Sequence, residues 1–198
     1  MADGLRIGVF GGTFDPIHTG HLVAAVNVHH QLRLDRLLLV VASVPWQKVG
    51  VRSISRAEDR LAMVAAAVEG VAGLEASAIE IERGGPSYTA DTLAELGRRH
   101  PDAELFCMVG EDVAGGLATW ERVDEVRQRC TLVVVNRPGS RTPAELTGWR
   151  VETVEIPALE ISSTDLRARA RDGRPLEFLV PDAAVRCIRD RHLYAEAP

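Results

Sequence analysis

Short apolar runs alternate with amphipathic segments along nearly the whole chain, a pattern typical of a parallel sheet covered by helices. The runs are rich in leucine and β-branched residues and do not alternate strictly, as expected of strands buried on both faces. The predicted strands are Leu5–Phe10, Arg36–Val41, Ala76–Ile81, Leu105–Val109, Leu132–Val135 and Val151–Ile156. The predicted helices are His21–Leu32, Arg56–Val68, Thr89–Arg99, Arg122–Arg129, Thr164–Arg171 and Asp182–Asp190.

Right-handed crossovers between successive strands would join these elements into an α/β fold, a Rossmann-like open and mostly parallel sheet with helices on both faces. Ser55 and Glu58 predict a capping box at the start of the second helix. Ligands of open parallel sheets bind beyond the carboxyl ends of the strands. Residues that bind a ligand should therefore follow the strands, and the candidate motifs of this sequence do.

Composition and charge exclude several classes of protein. No run approaches the roughly eighteen apolar residues of a membrane helix, and Met1–Arg6 lacks the apolar stretch of a signal peptide, so we expect a cytoplasmic protein without a membrane partner. The three cysteines, Cys107, Cys130 and Cys187, are widely spaced and predict neither a disulfide framework nor a zinc cluster. A net charge of -5 offers no basic surface for nucleic acid.

The loop after the first predicted strand carries the strongest chemical signal, GGTFDPIHTGH at residues 11–21. Two glycines let the backbone approach a ligand, and the following helix directs free amides and its positive dipole end at an anion. The spacings of the dinucleotide fingerprint and of the Walker loop are both absent. His18 and His21 share one side of the first turn and could converge on one phosphate group, stabilising charge on its oxygens. Alternatively, one histidine caps the turn, or the pair binds a metal.

This loop resembles the HxGH signature of the nucleotidyltransferase superfamily, and its GGTFDPxHxGH form is similar to that of bacterial nicotinate mononucleotide adenylyltransferases. The resemblance implies ATP, a magnesium ion held mainly by phosphates and water, and formation of nicotinate adenine dinucleotide with release of pyrophosphate. No dedicated metal cage is visible in the sequence, so we expect no protein metal ligand. We expect one domain over residues 1–198, in which residues 160–198 form a C-terminal helical part that completes the ATP site.

A second motif, ISSTDLR at residues 161–167, resembles the ISSTxIR motif of the same family. Ser163 and Thr164 lie at a predicted helix start, where hydroxyls and free amides can hold phosphate oxygens. Arg167, one turn later, can add a bidentate charged contact. The alternative is an ordinary capping motif followed by a surface arginine.

Further matches follow the second and third predicted strands. The segment Val44–Lys48 resembles a Pro-Trp-Gln-Lys pattern of the family, which implies that Lys48 is a point charge for ATP phosphates and Trp46 a packing or stacking surface. The segment Arg83–Leu93 resembles SYTxDTL, which implies that loop amides around Tyr88 and Thr89 receive the nicotinate carboxylate. Ser87 or Thr89 could instead act only as an N-cap.

The fourth and fifth strands precede the remaining matches. Gly110 and Asp112, with Trp120 downstream, resemble the family's Gly-x-Asp and its tryptophan, which the resemblance places against the pyridine ring. Glu111 brings a negative charge that should weaken binding of an anionic acceptor. Arg137, in an Arg-Pro-Gly turn, would lie by the nucleotide or be a solvated turn residue.

These matches define three predicted sets of site residues. The catalytic set is His18, His21, Lys48 and Arg167. The ATP-binding set is Gly11, Gly12, Thr13, Phe14, His18, Gly20, His21, Lys48, Gly110, Asp112, Arg137, Ile161, Ser162, Ser163, Thr164 and Arg167. The acceptor-binding set is Thr13, Asp15, Trp46, Lys48, Tyr88, Thr89 and Trp120.

Two other functions stay open at this point. The same chemistry could act on another phosphorylated acceptor, such as nicotinamide mononucleotide, although the loop differs from the Ser-Phe-Asp-Pro-x-Thr-x-Gly-His form of phosphopantetheine enzymes. A noncatalytic nucleotide-binding sensor is the second alternative. The sequence also leaves a homo-oligomer open.

Overall fold

The computed structural model describes residues 4–45, 53–136, 138 and 146–195. Its strands are β1 (Arg6–Gly12), β2 (Arg36–Val41), β3 (Leu74–Ser77), β4 (Glu104–Gly110), β5 (Thr131–Asn136) and β6 (Val151–Glu155). Its helices are α1 (Thr19–Gln31), α2 (Ala57–Val68), α3 (Ile79–Arg83), α4 (Thr89–Arg99), α5 (Glu111–Ala114), α6 (Val123–Arg129), α7 (Ser163–Arg171) and α8 (Asp182–Asp190). A 3₁₀ turn at Leu117–Thr119 follows α5.

The strands of the described ranges form one parallel sheet of six, in the order β3-β2-β1-β4-β5-β6. The chain builds one half of the sheet outward from β1 and then returns to place β4 on the other side of β1. This reversal of strand order leaves a crevice beyond the carboxyl ends of β1 and β4, where open sheets bind their ligands.

Both faces of the sheet are covered, which explains the continuous apolar runs in the sequence. In β2, Leu37 and Leu39 belong to one buried cluster, whereas Leu38 and Val40 belong to the other. Helices α1, α2, α7 and α8 contribute buried residues to the first cluster, and α4 and α6 contribute to the second. The predicted α/β class, with helices on both faces, is confirmed.

Two local predictions were wrong. The strand expected over Ala76–Ile81 ends at Ser77, and the following residues form α3, because a short run with apolar residues can be buried equally well as a helix. The capping box at α2 is absent: the N-cap is Arg56, without a side-chain cap. The main-chain oxygen of Ser55 instead accepts a hydrogen bond from Nε of Arg60 at 2.9 Å.

Two further findings concern the length of the helices and the state of the cysteines. None of the helices in the described ranges is long and apolar enough to cross a membrane. Cys107, Cys130 and Cys187 are free thiols, the first two of them buried.

Candidate active site

Two adjoining cavities lie beyond the carboxyl ends of β1 and β4. The first, of about 390 Å³, has Trp120 on its wall and is called here the tryptophan cavity. The second, of about 750 Å³, contains His18 and His21 and is called the histidine cavity. The two cavities share four lining residues: Phe10, Met108, Gly110 and Asp112. A ligand in one cavity can therefore contact a ligand in the other.

The two histidines at the start of α1 form a stacked pair. Their ring centroids are 3.6 Å apart and their planes are inclined by 29°. The main-chain N–H of His18 donates to Nδ1 of His21 at 3.2 Å, so a neutral His21 carries its proton on Nε2. His21 therefore caps the helix through Nδ1 and carries a donor on Nε2. The capping and the phosphate-binding interpretations of the motif are thus compatible.

Burial controls the charge of His18. The residue is 7% exposed, and this burial lowers the pKa of its imidazole from 6.5 to about 4. His18 is therefore neutral at pH 7, and it stacks on His21 without bringing a positive charge. Its Nδ1 is buried and has no hydrogen-bond partner among the described residues, although the residue itself lines the histidine cavity.

We expect acid to destabilise the fold through His18. Between pH 6.5 and pH 4 the unfolded chain binds a proton at His18 that the folded chain does not, so the free energy of unfolding falls as the pH is lowered through this window. The shift corresponds to about 3 kcal/mol. Urea unfolding of wild type and His18→Asn at pH 7 and pH 4.5 measures the effect as a smaller acid-induced loss in the variant.

The exposed His30 at the end of α1 supplies the control for this measurement. His30→Asn should lose stability with pH as wild type does. If His18→Asn also followed the wild-type curve, the depressed pKa of His18 would be disproved.

Phe14 supports the histidine pair from behind. Its ring meets the ring of His21 edge-on, with centroids 5.1 Å apart, and its side chain is buried in the core. A Cβ at Gly12 would lie 2.7 Å from the Phe14 ring, so this position requires glycine. Phe14, predicted to bind ATP, lines neither cavity and contacts the ring of His21.

The motif at residues 161–167 docks onto the first loop. Ser163 Oγ donates to the carbonyl of Pro16 at 2.9 Å, and a terminal nitrogen of Arg167 donates to the carbonyl of Asp15 at 2.7 Å. The N-cap of α7 is Ser162, whose hydroxyl accepts the amide of Asp165. The capping interpretation thus holds for the first serine, whereas the second serine and the arginine connect α7 to the loop before the histidines.

Asp15, predicted to bind the acceptor, is not among the residues that line the tryptophan cavity. Its carboxylate is 1% exposed and accepts the hydroxyl of Tyr194 at 2.8 Å. Burial, followed by the charge of Asp15, raises the pKa of Tyr194 well above its ordinary value. This aspartate therefore ties the first loop to the segment after α8.

The tryptophan cavity is bounded by the start of α4. Tyr88 is the N-cap, and both Tyr88 and Thr89 line the cavity. The first N–H groups of a helix lack intrahelical partners and favour an anion. Glu80 of α3 also lines the cavity, where its carboxylate accepts the hydroxyl of Thr92 at 2.6 Å. This hydrogen bond fixes the first turn of α4 against α3.

Comparison with known proteins assigns the family. The cytidylyltransferase-like family profile matches residues 9–169. A Corynebacterium kroppenstedtii protein named as a probable nicotinate-nucleotide adenylyltransferase is 46% identical over 192 residues, covering 96% of this chain and 90% of that protein. The Streptomyces coelicolor protein of the same name is 48% identical over 185 residues, covering 93% and 98%. The chain belongs to the nicotinate-nucleotide adenylyltransferase family.

A solved structure supports the fold of this nucleotidyltransferase. The structure of Plasmodium falciparum nicotinic acid mononucleotide adenylyltransferase complexed with NaAD aligns with a TM-score of 0.80 over 96% of this chain and 97% of that chain. Sequence identity between the two is 16%, so the likeness concerns the architecture alone.

Many predicted site residues of this family member line one of the two cavities, whereas six described ones line neither: Phe14, Asp15, Ser162, Ser163, Thr164 and Arg167. Of the ATP-binding set, His18, Gly20, His21, Gly110, Asp112 and Ile161 line the histidine cavity. Gly11, Gly12 and Thr13 line the tryptophan cavity, together with Tyr88, Thr89 and Trp120 of the acceptor-binding set. Trp46, Lys48 and Arg137 lie outside the described residues. Glu111 lines the histidine cavity, whereas the sequence placed its charge beside the acceptor.

Sequence reasoning missed several residues of the adenylyltransferase site. Asn136, at the end of β5, is buried and lines the histidine cavity. Its position directly after an apolar run was a usable signal, because ligand-binding residues follow the strands of such sheets. Glu80 and Tyr194 gave no such signal, since α3 was taken for a strand and the segment after α8 carries no motif.

Proposed function

We propose that the enzyme transfers the AMP moiety of ATP to nicotinate mononucleotide, giving nicotinate adenine dinucleotide and pyrophosphate for NAD biosynthesis. The observation that carries this proposal is the meeting of two cavities at Phe10, Met108, Gly110 and Asp112, with the histidine pair on the wall of one. Such a junction suits a reaction that joins two nucleotides. The names of the two bacterial relatives specify the same reaction.

ATP is assigned to the histidine cavity. This cavity has the larger volume, and it lies at the start of α1, where helix amides and the His21 donor favour phosphate oxygens. Arg167 brings a positive charge to the neighbouring loop through its contact with Asp15. In a chain of net charge -5, phosphate recognition has to come from such local groups.

Nicotinate mononucleotide is assigned to the tryptophan cavity. Trp120 offers an indole on which an electron-poor pyridine ring can stack. The start of α4, at Tyr88 and Thr89, provides backbone donors suited to the ring carboxylate. The phosphate of the acceptor would then point towards the junction of the two cavities.

The reaction needs no covalent enzyme intermediate. A phosphate oxygen of the acceptor attacks the α-phosphorus of ATP and forms the new P–O bond, while the bond to the bridging oxygen breaks and its electron pair leaves with pyrophosphate. The acceptor phosphate is already ionised, so no general base is required. Rate comes from orientation of the two substrates, which can supply roughly 7–11 kcal/mol, and from donors such as His21 that face the developing charge.

Magnesium forms part of the proposal as an ion carried by ATP. Within the described ranges no three His, Cys, Asp or Glu side chains cluster as metal ligands. We expect the ion to keep phosphate oxygens and water in its coordination sphere, as magnesium commonly does. When bound, magnesium neutralises part of the triphosphate charge, while the protein groups named above bind and orient the substrates.

Trp120→Ala should raise the KM for nicotinate mononucleotide about tenfold and change the KM for ATP much less, because stacking contributes roughly 0.5–1.5 kcal/mol beyond burial. Steady-state kinetics with each substrate varied in turn measures the two constants. Trp149→Ala is the matched control, since Trp149 packs against the same core cluster. A larger rise in the KM for ATP would refute the stacking assignment.

The proposed reaction is tested by pyrophosphate release with ATP and Mg²⁺ and three acceptors: nicotinate mononucleotide, nicotinamide mononucleotide and phosphopantetheine. We expect a strong preference for nicotinate mononucleotide. Turnover with only one of the other acceptors would support adenylyl transfer but would show that nicotinate mononucleotide is not the acceptor. No pyrophosphate release with any of the three acceptors, together with intact ATP binding, would favour a noncatalytic nucleotide sensor.

A cytoplasmic location completes the proposal. ATP, the proposed substrate, is available inside the cell. The acidic net charge fits partners that are small molecules rather than nucleic acids.

A further inference from the structure

One buried arginine has no place in the reaction described above. Arg60 lies in the first turns of α2 and is 1% exposed. Its guanidinium donates to four main-chain carbonyls: Ser55 at 2.9 Å, Thr13 at 2.8 Å, Ala42 at 2.7 Å and Ser43 at 3.2 Å. A buried guanidinium satisfied in this way fixes the positions of all the carbonyls that it contacts.

The carbonyls belong to the loops that follow two neighbouring strands. Thr13 comes directly after β1, and Ala42 and Ser43 come directly after β2. Thr13 and Ala42 both line the tryptophan cavity. The Arg60 side chain therefore connects two segments of the same cavity wall, the loops after β1 and β2, but does not line the cavity itself.

The connection extends to the third segment of the wall. The amide of Ser43 donates to Oγ of Ser87 at 2.8 Å, and the amide of Ser87 donates to the carbonyl of Val44 at 3.1 Å. Ser87 immediately precedes Tyr88 and Thr89, the residues at the start of α4. Hydrogen bonds thus run from Arg60 through the loop after β2 to the proposed carboxylate-binding end of α4.

Arginine is required here for its shape as well as its charge. The planar guanidinium presents five N–H donors in a fixed fork, whereas a lysine ammonium presents three donors at a single point. Lysine at this position can keep the charge but cannot reach carbonyls on two loops and at Ser55 together. The attachment of α2 to the core depends on other residues, including Met63, Val64 and Ala67.

We propose that Arg60 is a positioning residue that sets the geometry of the acceptor cavity through the main chain of the loops after β1 and β2. This inference rests on the proposed function in taking the tryptophan cavity as the acceptor site. Arg60 would act on binding of the acceptor much more than on binding of ATP.

The test compares Arg60→Lys with wild type and with Arg56→Lys, an exposed arginine at the N-cap of the same helix. For the acceptor that wild type turns over, we expect Arg60→Lys to raise the KM by about 10- to 100-fold, since small misplacements of binding groups have effects of this size. The KM for ATP should change less than about threefold, and Arg56→Lys should match wild type. Equal rises in both KM values, or a fully active Arg60→Lys, would overturn the proposal.

A second measurement is independent of turnover. Hydrogen exchange of the amides of Ser43 and Ser87 should be faster in Arg60→Lys than in wild type, while exchange in α4 beyond its first turn stays unchanged. Uniformly faster exchange would indicate a purely structural role and would also overturn the proposal. If wild type rejects nicotinate mononucleotide, the proposed function fails, but this exchange pattern still tests the role of Arg60.

Discussion

Replacing His21 with alanine is expected to lower kcat by about 100-fold or more while the protein stays folded. The Nδ1 atom of His21 accepts a hydrogen bond from the His18 amide, so a neutral His21 carries its proton on Nε2, which we expect to donate to the phosphate undergoing reaction. This contact strengthens as negative charge develops on the α-phosphoryl oxygens, and its loss therefore lowers kcat. Pyrophosphate release at saturating concentrations of both substrates measures the effect.

Two further variants separate catalysis from helix capping. His21→Asn keeps a short side-chain acceptor that can cap the helix, and we expect it to restore stability without restoring kcat. His30→Ala, at the exposed end of α1, should behave as wild type. Wild-type turnover in His21→Ala would show that His21 has no catalytic role.

Arg167→Met should lower kcat/KM for ATP by about 10- to 100-fold, because a hydrogen bond to a charged group contributes roughly 1.5–3 kcal/mol. The Arg167 guanidinium is held by the carbonyl of Asp15 and by the hydroxyl of Thr164 at 3.1 Å, which fixes a positive charge beside the loop that precedes the histidines. Initial rates with varied ATP at saturating acceptor measure the loss.

The same helix offers a matched control. Arg169 pairs with Asp165 on the surface of α7, so Arg169→Met removes an arginine of the same helix without touching the first loop. This variant should retain its kcat/KM for ATP. Equal losses in the two variants would mean that the effect arises from the general charge of α7 and not from a contact of Arg167.

Much of the fold followed from hydrophobic pattern alone. The strand Arg36–Val41 and the helices Thr89–Arg99 and Asp182–Asp190 were predicted with their observed bounds, because the strand is a nearly continuous apolar run and both helices are strongly amphipathic. The end of β3 was not predictable in this way. Helix α3 has five residues, too few to display a helical period, and its isoleucines suit a strand equally well.

The site was predictable where its residues are close in sequence. Gly11 and Gly12 end β1, and His18 and His21 lie at the start of the next helix, so all four lie close together in sequence at the carboxyl edge of the sheet, where ligands of such sheets bind. The connections between loops were hidden, because they join residues far apart along the chain. Arg60 bonds to backbone carbonyls, which have no side-chain signature, and Asp15 bonds to Tyr194 across 179 positions.

The contacts of the first loop also set the order in which the site can form during synthesis. Residues 11–21 leave the ribosome well before their partners Ser163, Arg167 and Tyr194. Until then the Asp15 carboxylate lacks the tyrosine hydroxyl that it accepts in the folded protein. The sheet can begin to form on a nascent chain, but the first loop reaches its final geometry only after the segment that carries Tyr194 has been synthesised.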